Sequence, residues 1–150
     1  MSLTQLVYYS RNRIDTTERP LLVQLREILV IAQRKNRAQD VTGFLLFDKK
    51  WFLQVLEGDE QTVMGVYDRI KTDPRHSDIT LLGRRPARRR NFGVWSMGGA
   101  IRTPDKYPIF LRHGVGESLD PTKLTLDSIV MLASDLVAYE VGGAAEDEAA

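Results

Sequence analysis

Cysteine is absent from the 150 residues, which excludes disulfides, thiolate metal sites and cysteine nucleophiles. Histidine occurs twice, at His76 and His113, with no metal-ligand spacing, nucleophile motif or phosphate-cradling glycine loop beside it, so no enzyme is expected. Long apolar runs are missing too. Leu22–Ala32 is broken by Gln24, Arg26 and Glu27, far short of the roughly 18 continuous apolar residues of a membrane span. No basic stretch followed by an apolar one opens the chain, so the expectation is a cytoplasmic protein without a signal peptide or a membrane partner. Charge of one sign is not in excess: 21 Lys and Arg face 20 Asp and Glu, which gives no global reason to expect nucleic acid or an anionic surface.

What is present suffices for one domain and a short appendage, with 43% apolar residues to build a core. Gln5–Ser10, rich in Val and Tyr, predicts a strand whose alternation puts Leu6 and Tyr8 on one face and Val7 and Tyr9 on the other. Pro20 suits a first helical turn, and Leu21, Leu25, Ile28 and Ala32 recur at helical spacing up to about Asn36. Val41–Phe47 and Trp51–Glu57 read as an antiparallel hairpin across Asp48-Lys49-Lys50. Asp59-Glu60 favours a helix start, with Val63, Val66, Tyr67 and Ile70 on its apolar face and an end before Pro74. Ile79–Gly83 and Phe92–Met97 read as a fourth and a fifth strand. This order predicts an α+β fold, a ferredoxin-like βαββαββ sheet with two helices on one face. Asp120-Pro121 opens a further helix carrying Leu124, Ile129, Leu132 and Leu136. A helical cap on the face bearing Leu53 and Val55 is the economical place for it. The division expected is residues 1–100 for the main domain, 101–141 for the cap and 142–150 for a disordered acidic tail.

Gln54 sits inside Phe52-Leu53-Gln54-Val55-Leu56, where a buried amide is costly without partners. Tyr8 from a neighbouring strand could reach it, and a satisfied core Tyr–Gln pair would account for both. If the two helices lie side by side, Ile28 and Ile70 form an apolar slot rimmed by Asn36, Arg69, Asp73, Arg75 and His76. Such a slot suits a flat heteroaromatic ring. Singly, these rim residues also read as solvated: Asn36 as a helix C-terminal residue, Arg69 and Asp73 as an exposed i,i+4 pair, and His76 as a loop residue. Five arginines within Arg84–Arg90 could contact phosphates. They lack interleaved aromatics, so an acidic protein partner is expected over nucleic acid.

Leu6-Val7-Tyr8-Tyr9-Ser10, Val41-Thr42-Gly43, Phe52-Leu53-Gln54-Val55-Leu56-Glu57-Gly58, Asp73-Pro74-Arg75-His76 and Phe92-Gly93-Val94-Trp95-Ser96-Met97, in this order and at these intervals, resemble the BLUF family over residues 3–100. The resemblance implies a blue-light photoreceptor that holds a flavin non-covalently between the first two helices, FAD in the main with FMN or riboflavin as substitutes. Lack of cysteine agrees, since no cysteine–flavin adduct can form. By position, Tyr8 matches the photoactive tyrosine, Gln54 the switching glutamine and Asn36 the flavin-orienting asparagine, while Arg69, Asp73 and His76 match residues around the flavin carbonyls and ribityl chain. Trp95 and Met97 match a fifth-strand pair that relays the signal through alternative inward and outward placements. Lys35 and Ala32 depart from the family pattern, which has Asn or His, and a serine near the glutamine, at these places. The resemblance further implies proton-coupled electron transfer from tyrosine to flavin, rearrangement of the Gln54 hydrogen bonds, and signalling through a separate protein partner. It resembles short stand-alone members ending in capping helices, for which a homodimer or higher homo-oligomer is expected. Two rival readings use the same sheet: a ligand- or RNA-binding module, and a small acyl-phosphate hydrolase with Asn36 and an arginine as its active pair.

Overall fold

The structure is a computed structural model that describes residues 3–93, 97–116 and 119–149, with side chains up to Tyr139. Strand β1 (Leu3–Asn12) leads to helix α1 (Leu21–Ala38), the hairpin β2 (Thr42–Phe47) and β3 (Trp51–Asp59), helix α2 (Glu60–Ile70) and strand β4 (His76–Pro86). A short β5 (Gly98–Ile101), helix α3 (Tyr107–Arg112) and helix α4 (Leu126–Ala149) complete the chain, with single 3-10 turns at Pro104–Lys106 and Pro121–Lys123. The strands lie in the order β4-β1-β3-β2-β5. The first four are the expected ferredoxin-like arrangement, with all their pairings antiparallel.

Local chemistry sets the ends of these elements. Asp48 Oδ1 accepts from Lys50 N–H (2.7 Å) and Trp51 N–H (2.8 Å), which closes the three-residue hairpin loop. Asp59 is the N-cap of α2, its side chain accepting from Thr62 N–H (3.4 Å). Helix α1 ends where Asp40 enters the left-handed region (φ 56°), one of the few conformations that Asp tolerates better than most residues. Val41 N–H then bonds Asn36 O (2.9 Å) and Asp40 N–H bonds Arg37 O (3.3 Å), the paired pattern of a Schellman cap. Asn36 is thus held at a fixed point, buried, at the end of α1.

Strand parity separates two cores as the alternation predicts. Leu6, Tyr8, Phe52 and Leu56 face α1 and α2 and pack with Leu25, Leu45, Val63, Val66 and Tyr67. Val7, Leu53 and Val55 face the other way, where Phe110, Leu119, Ile129, Leu132 and Leu136 cover them. The helical cap therefore lies on the expected face of the sheet. Phe110 is fully buried at the centre of this second core, so Phe110→Ala should cost about 3–5 kcal/mol of unfolding free energy. Urea denaturation monitored by circular dichroism measures it.

Three expectations need correction. The fifth strand is Gly98–Ile101, pairing parallel to β2 with Phe44 opposite Gly98; of the expected strand Phe92–Met97, Phe92, Gly93 and Met97 are not in a strand and residues 94–96 lie outside the described residues. The glycines of β5 hid it, since Gly is depleted in strands. Here they serve close packing: a Cβ on Gly99 would stand 2.7 Å from Leu29 Cδ1 of α1. Phe92 is instead a plug in the cap core, its ring stacked on Phe44 with centroids 5.8 Å apart. Asp120-Pro121 starts only the 3-10 turn, with Asp120 Oδ1 accepting from Thr122 N–H (3.1 Å). Helix α4 begins after Thr125, which exchanges bonds with Ser128 in both directions (2.8 and 3.1 Å). Strand β4 runs well beyond Ile79–Gly83 and takes in His76 and Arg84-Arg85.

Candidate functional site

Between α1 and α2, on the sheet face opposite the cap, lies a cavity of about 230 Å³, many times the roughly 30 Å³ of one water. Its walls include Ile28 and Ile31 from α1, Val66 and Ile70 from α2, and Leu45 and Phe52 from the sheet. Tyr8, Asn36, Gln54, Arg69, Asp73 and His76 all line it, so the residues singled out in the sequence converge on one place. Met97 lines it as well, as do Lys35 and Ala32. Trp95 lies outside the described residues.

At the cavity floor, Tyr8 and Gln54 stand directly opposite in the β1–β3 register. They are 3% and 6% exposed, and Tyr8 Oη donates to Gln54 Oε1. The other end of the amide donates, Nε2 to Met97 Sδ at 3.3 Å. Met97 is held in turn by Gln33, whose Nε2 donates to Met97 O (3.0 Å). Burial pushes the Tyr8 phenol far above the ordinary tyrosine range, and the nearby Tyr67 and Asp73 push it the same way. Tyr8 is therefore a neutral donor whose proton has one acceptor, the amide oxygen.

The rim is organised differently from the expected i,i+4 pair. Asp73 pairs with Arg75, and this hydrogen bond holds the Asp73 carboxyl below its usual range. Arg69 Nη2 instead reaches Gln39 Oε1 (2.9 Å) and so ties α2 to the end of α1. The closer partner wins in each case, because the turn after α2 carries Asp73 off the helix axis. His76 is not a loop residue: it opens β4, donating from Nε2 to Ile70 O (2.6 Å) and hydrogen-bonded at Nδ1 to Ser10 Oγ (2.7 Å). This bridges the strand to the end of α2. Sequence reasoning named Phe52 and Val66 only as core and missed Leu45, Gln39 and Ile31 as lining. Helical spacing could have given Ile31 and Gln39, which flank Ala32 and Lys35 on the same turns.

The arginines of Arg84–Arg90 are largely engaged within the fold. Arg84 pairs with Glu60 (3.6 Å), Arg85 with Asp127 (2.5 Å) and Arg90 with Asp40 (3.2 Å). Arg84, Arg88 and Arg89 are the exposed members of the cluster.

The BLUF family model, described as sensors of blue-light using FAD, matches residues 3–98. The chain belongs to the BLUF family. It is similar to the blue light- and temperature-regulated antirepressor BluF of Escherichia coli, at 43% identity over 95 residues, which is 63% of this chain and 23% of that protein. Among solved structures it is similar to BlsA in its photo-activated state (TM-score 0.77, 27% identity, 89% of this chain and 94% of that one). It is also similar to BlrB, a BLUF protein in its dark state (TM-score 0.68, 26% identity, 89% and 97%). As a BLUF protein, it is a blue-light photoreceptor with FAD as chromophore. The cavity fits that group: its apolar walls would suit a flat ring, the Gln54 amide and buried Asn36 would offer it hydrogen bonds, and Lys35, Arg69 and Arg75 among the lining residues would offer positive charge to a phosphate-bearing tail. Among the described residues no helix is long and apolar enough to cross a membrane. The chain spans under a quarter of the length of curated relatives it matches, such as BluF and a photoactivated adenylate cyclase subunit of Euglena gracilis.

Proposed function

We propose that this BLUF protein senses light through the Tyr8–Gln54 pair and passes the change to a separate protein partner, itself performing no enzymatic reaction. One observation carries the reading: a buried phenol, protonated and bonded to an amide oxygen, on the floor of a cavity between two helices. The flavin supplies blue-light absorption and, once excited, an oxidising ring. Tyr8 is placed to give up an electron and, through its hydrogen bond, its proton. Gln54 shares the cavity floor with Tyr8 and has an acceptor at one end of its amide and donors at the other. Thioether sulfur is a weak acceptor, so the Nε2–H bond to Met97 is cheaply exchanged for a stronger one. Asn36, Arg69, Asp73, His76, Ile28 and Ile70 are assigned to hold and orient the flavin.

Changed bonding at Gln54 frees or recaptures Met97, at the entrance to β5, and so biases a two-state population reaching the cap. Residues 3–98, with the family match, form the sensor, and the cap forms the output surface. The Escherichia coli relative's name, antirepressor, supports output to another protein. A homodimer in a cytoplasmic setting is the assembly state that goes with this reading.

Purified protein supplied with FAD should be yellow, release its pigment on acid denaturation, and show a flavin spectrum that shifts red under blue light and reverts in darkness. Protein that stays colourless, or a flavin spectrum without a reversible shift, overturns the reading. Size-exclusion chromatography with light scattering, in light and dark, tests the dimer.

A further inference from the structure

Glu57 is completely buried, three residues beyond Gln54 on β3, and the Tyr8–Gln54 chemistry does not use it. Both carboxylate oxygens are fully engaged. Oε1 accepts from Phe92 N–H (2.8 Å) and Thr42 Oγ1 (3.3 Å), and Oε2 from Asn91 N–H (2.8 Å) and Gln5 Nε2 (3.2 Å). Four bonds are the full capacity of a carboxylate.

The donors are themselves oriented. Arg85 Nε donates to Gln5 Oε1 (2.9 Å), which fixes the end of that amide facing Glu57. Arg90 Nη1 donates to Thr42 Oγ1 (2.9 Å), so the threonine hydrogen is directed to the carboxylate. A buried carboxylate is costly without such partners, and an apolar residue would fill a strand position with less penalty. A carboxylate here does what an apolar residue cannot: it grips two consecutive backbone N–H groups of a segment outside the sheet ladder. That segment leads, five residues after Phe92, to Met97, whose sulfur accepts from Gln54.

We propose that Glu57 is a positioning residue for the light response. By anchoring Asn91 and Phe92 it keeps Met97 Sδ against Gln54 Nε2 in the resting state, and so sets how fast that state is regained after light. The inference rests on the Tyr8–Gln54 reading above. Glu57→Gln keeps the size of the side chain but turns an NH2 toward one of the two backbone N–H groups, donor against donor.

The reversible red shift should persist, while its dark recovery changes by about three- to tenfold, the effect of losing one net hydrogen bond. In a Met97→Ala background the same substitution should have no further effect on recovery. Thr42→Val withdraws one donor from the same carboxylate, should give a smaller change in the same direction, and decides the matter if the Glu57 variant does not fold. Unchanged recovery, or an equal fold-change with and without the Met97 side chain, overturns the inference. Absence of a red shift in the unmodified protein would instead overturn the Tyr8–Gln54 reading.

Discussion

Tyr8→Phe should abolish the reversible red shift while leaving a yellow, flavin-loaded protein, and Tyr9→Phe should leave the shift intact. The two tyrosines are adjacent in sequence but separated by the sheet. Tyr8 packs with the α1/α2 core and bonds Gln54. Tyr9 lies on the cap side, its ring edge-on to Trp51 with centroids 5.8 Å apart. Phenylalanine keeps the ring and its packing against Tyr67 (centroids 5.3 Å), so the cavity wall survives. What is lost is the proton and the readily oxidised phenol. The Gln54 oxygen loses its donor, at a cost of about 1–3 kcal/mol if nothing replaces it.

The direction of the Tyr8 pKa adds a pH test. Its folded value lies above that of the unfolded chain, so the native state holds this proton longer. Any stability gained from it is complete below about pH 10 and is lost as pH rises beyond that. The size of the red shift should therefore not titrate through Tyr8 anywhere between neutral pH and about 10. Difference spectra across that range, and across the two substitutions, provide the measurement. A wild-type response from Tyr8→Phe, or its loss in Tyr9→Phe, would reverse the assignment of the strand faces.

Much of the site was legible because it rests on period-2 and period-3.6 patterns, which survive folding unchanged. Strand alternation put Tyr8 and Gln54 on one face, and helical spacing put Ile28 and Ile70 on facing walls. The resemblance then implied roles for the polar residues, of which the variants test those of Tyr8 and Gln54. What escaped depends on partners distant in sequence. Arg75, not Arg69, takes Asp73, and Gln39 takes Arg69, because the turn after α2 and the Schellman cap after α1 set distances that residue spacing does not encode. The strand at Gly98–Ile101 escaped because it opens on two glycines, of which Gly99 leaves room for Leu29, while the more hydrophobic Phe92 belongs to another layer. Glu57 looked like an ordinary polar residue at a strand end. Its importance lies in four donors drawn from β1, β2 and the segment after β4, a convergence visible only in three dimensions.

Gln54→Leu should retain flavin and lose the photocycle. Leucine is apolar and of similar bulk, so the walls formed by Leu45, Phe52 and Val66 keep their packing. It removes the acceptor for Tyr8 and the donor to Met97 in one step. Tyr8 could still be oxidised, but its proton would have no amide oxygen to move to, and no group would remain to change its hydrogen bonding toward the cavity. Continuous blue light should then give bleaching or no change, with the reversible red shift absent.

Gln54→Glu separates shape from donor chemistry. Ionised, it can accept from Tyr8 but cannot donate, and it places a charge in a buried site at considerable cost. Burial favours the protonated acid, which regains an O–H donor, so any residual photocycle in this variant should grow as pH falls. Flash spectroscopy on flavin-loaded protein at several pH values distinguishes the cases. A reversible red shift of full size in flavin-bound Gln54→Leu would show that neither amide end is needed, and the assignment of Gln54 as the switch would have to be withdrawn.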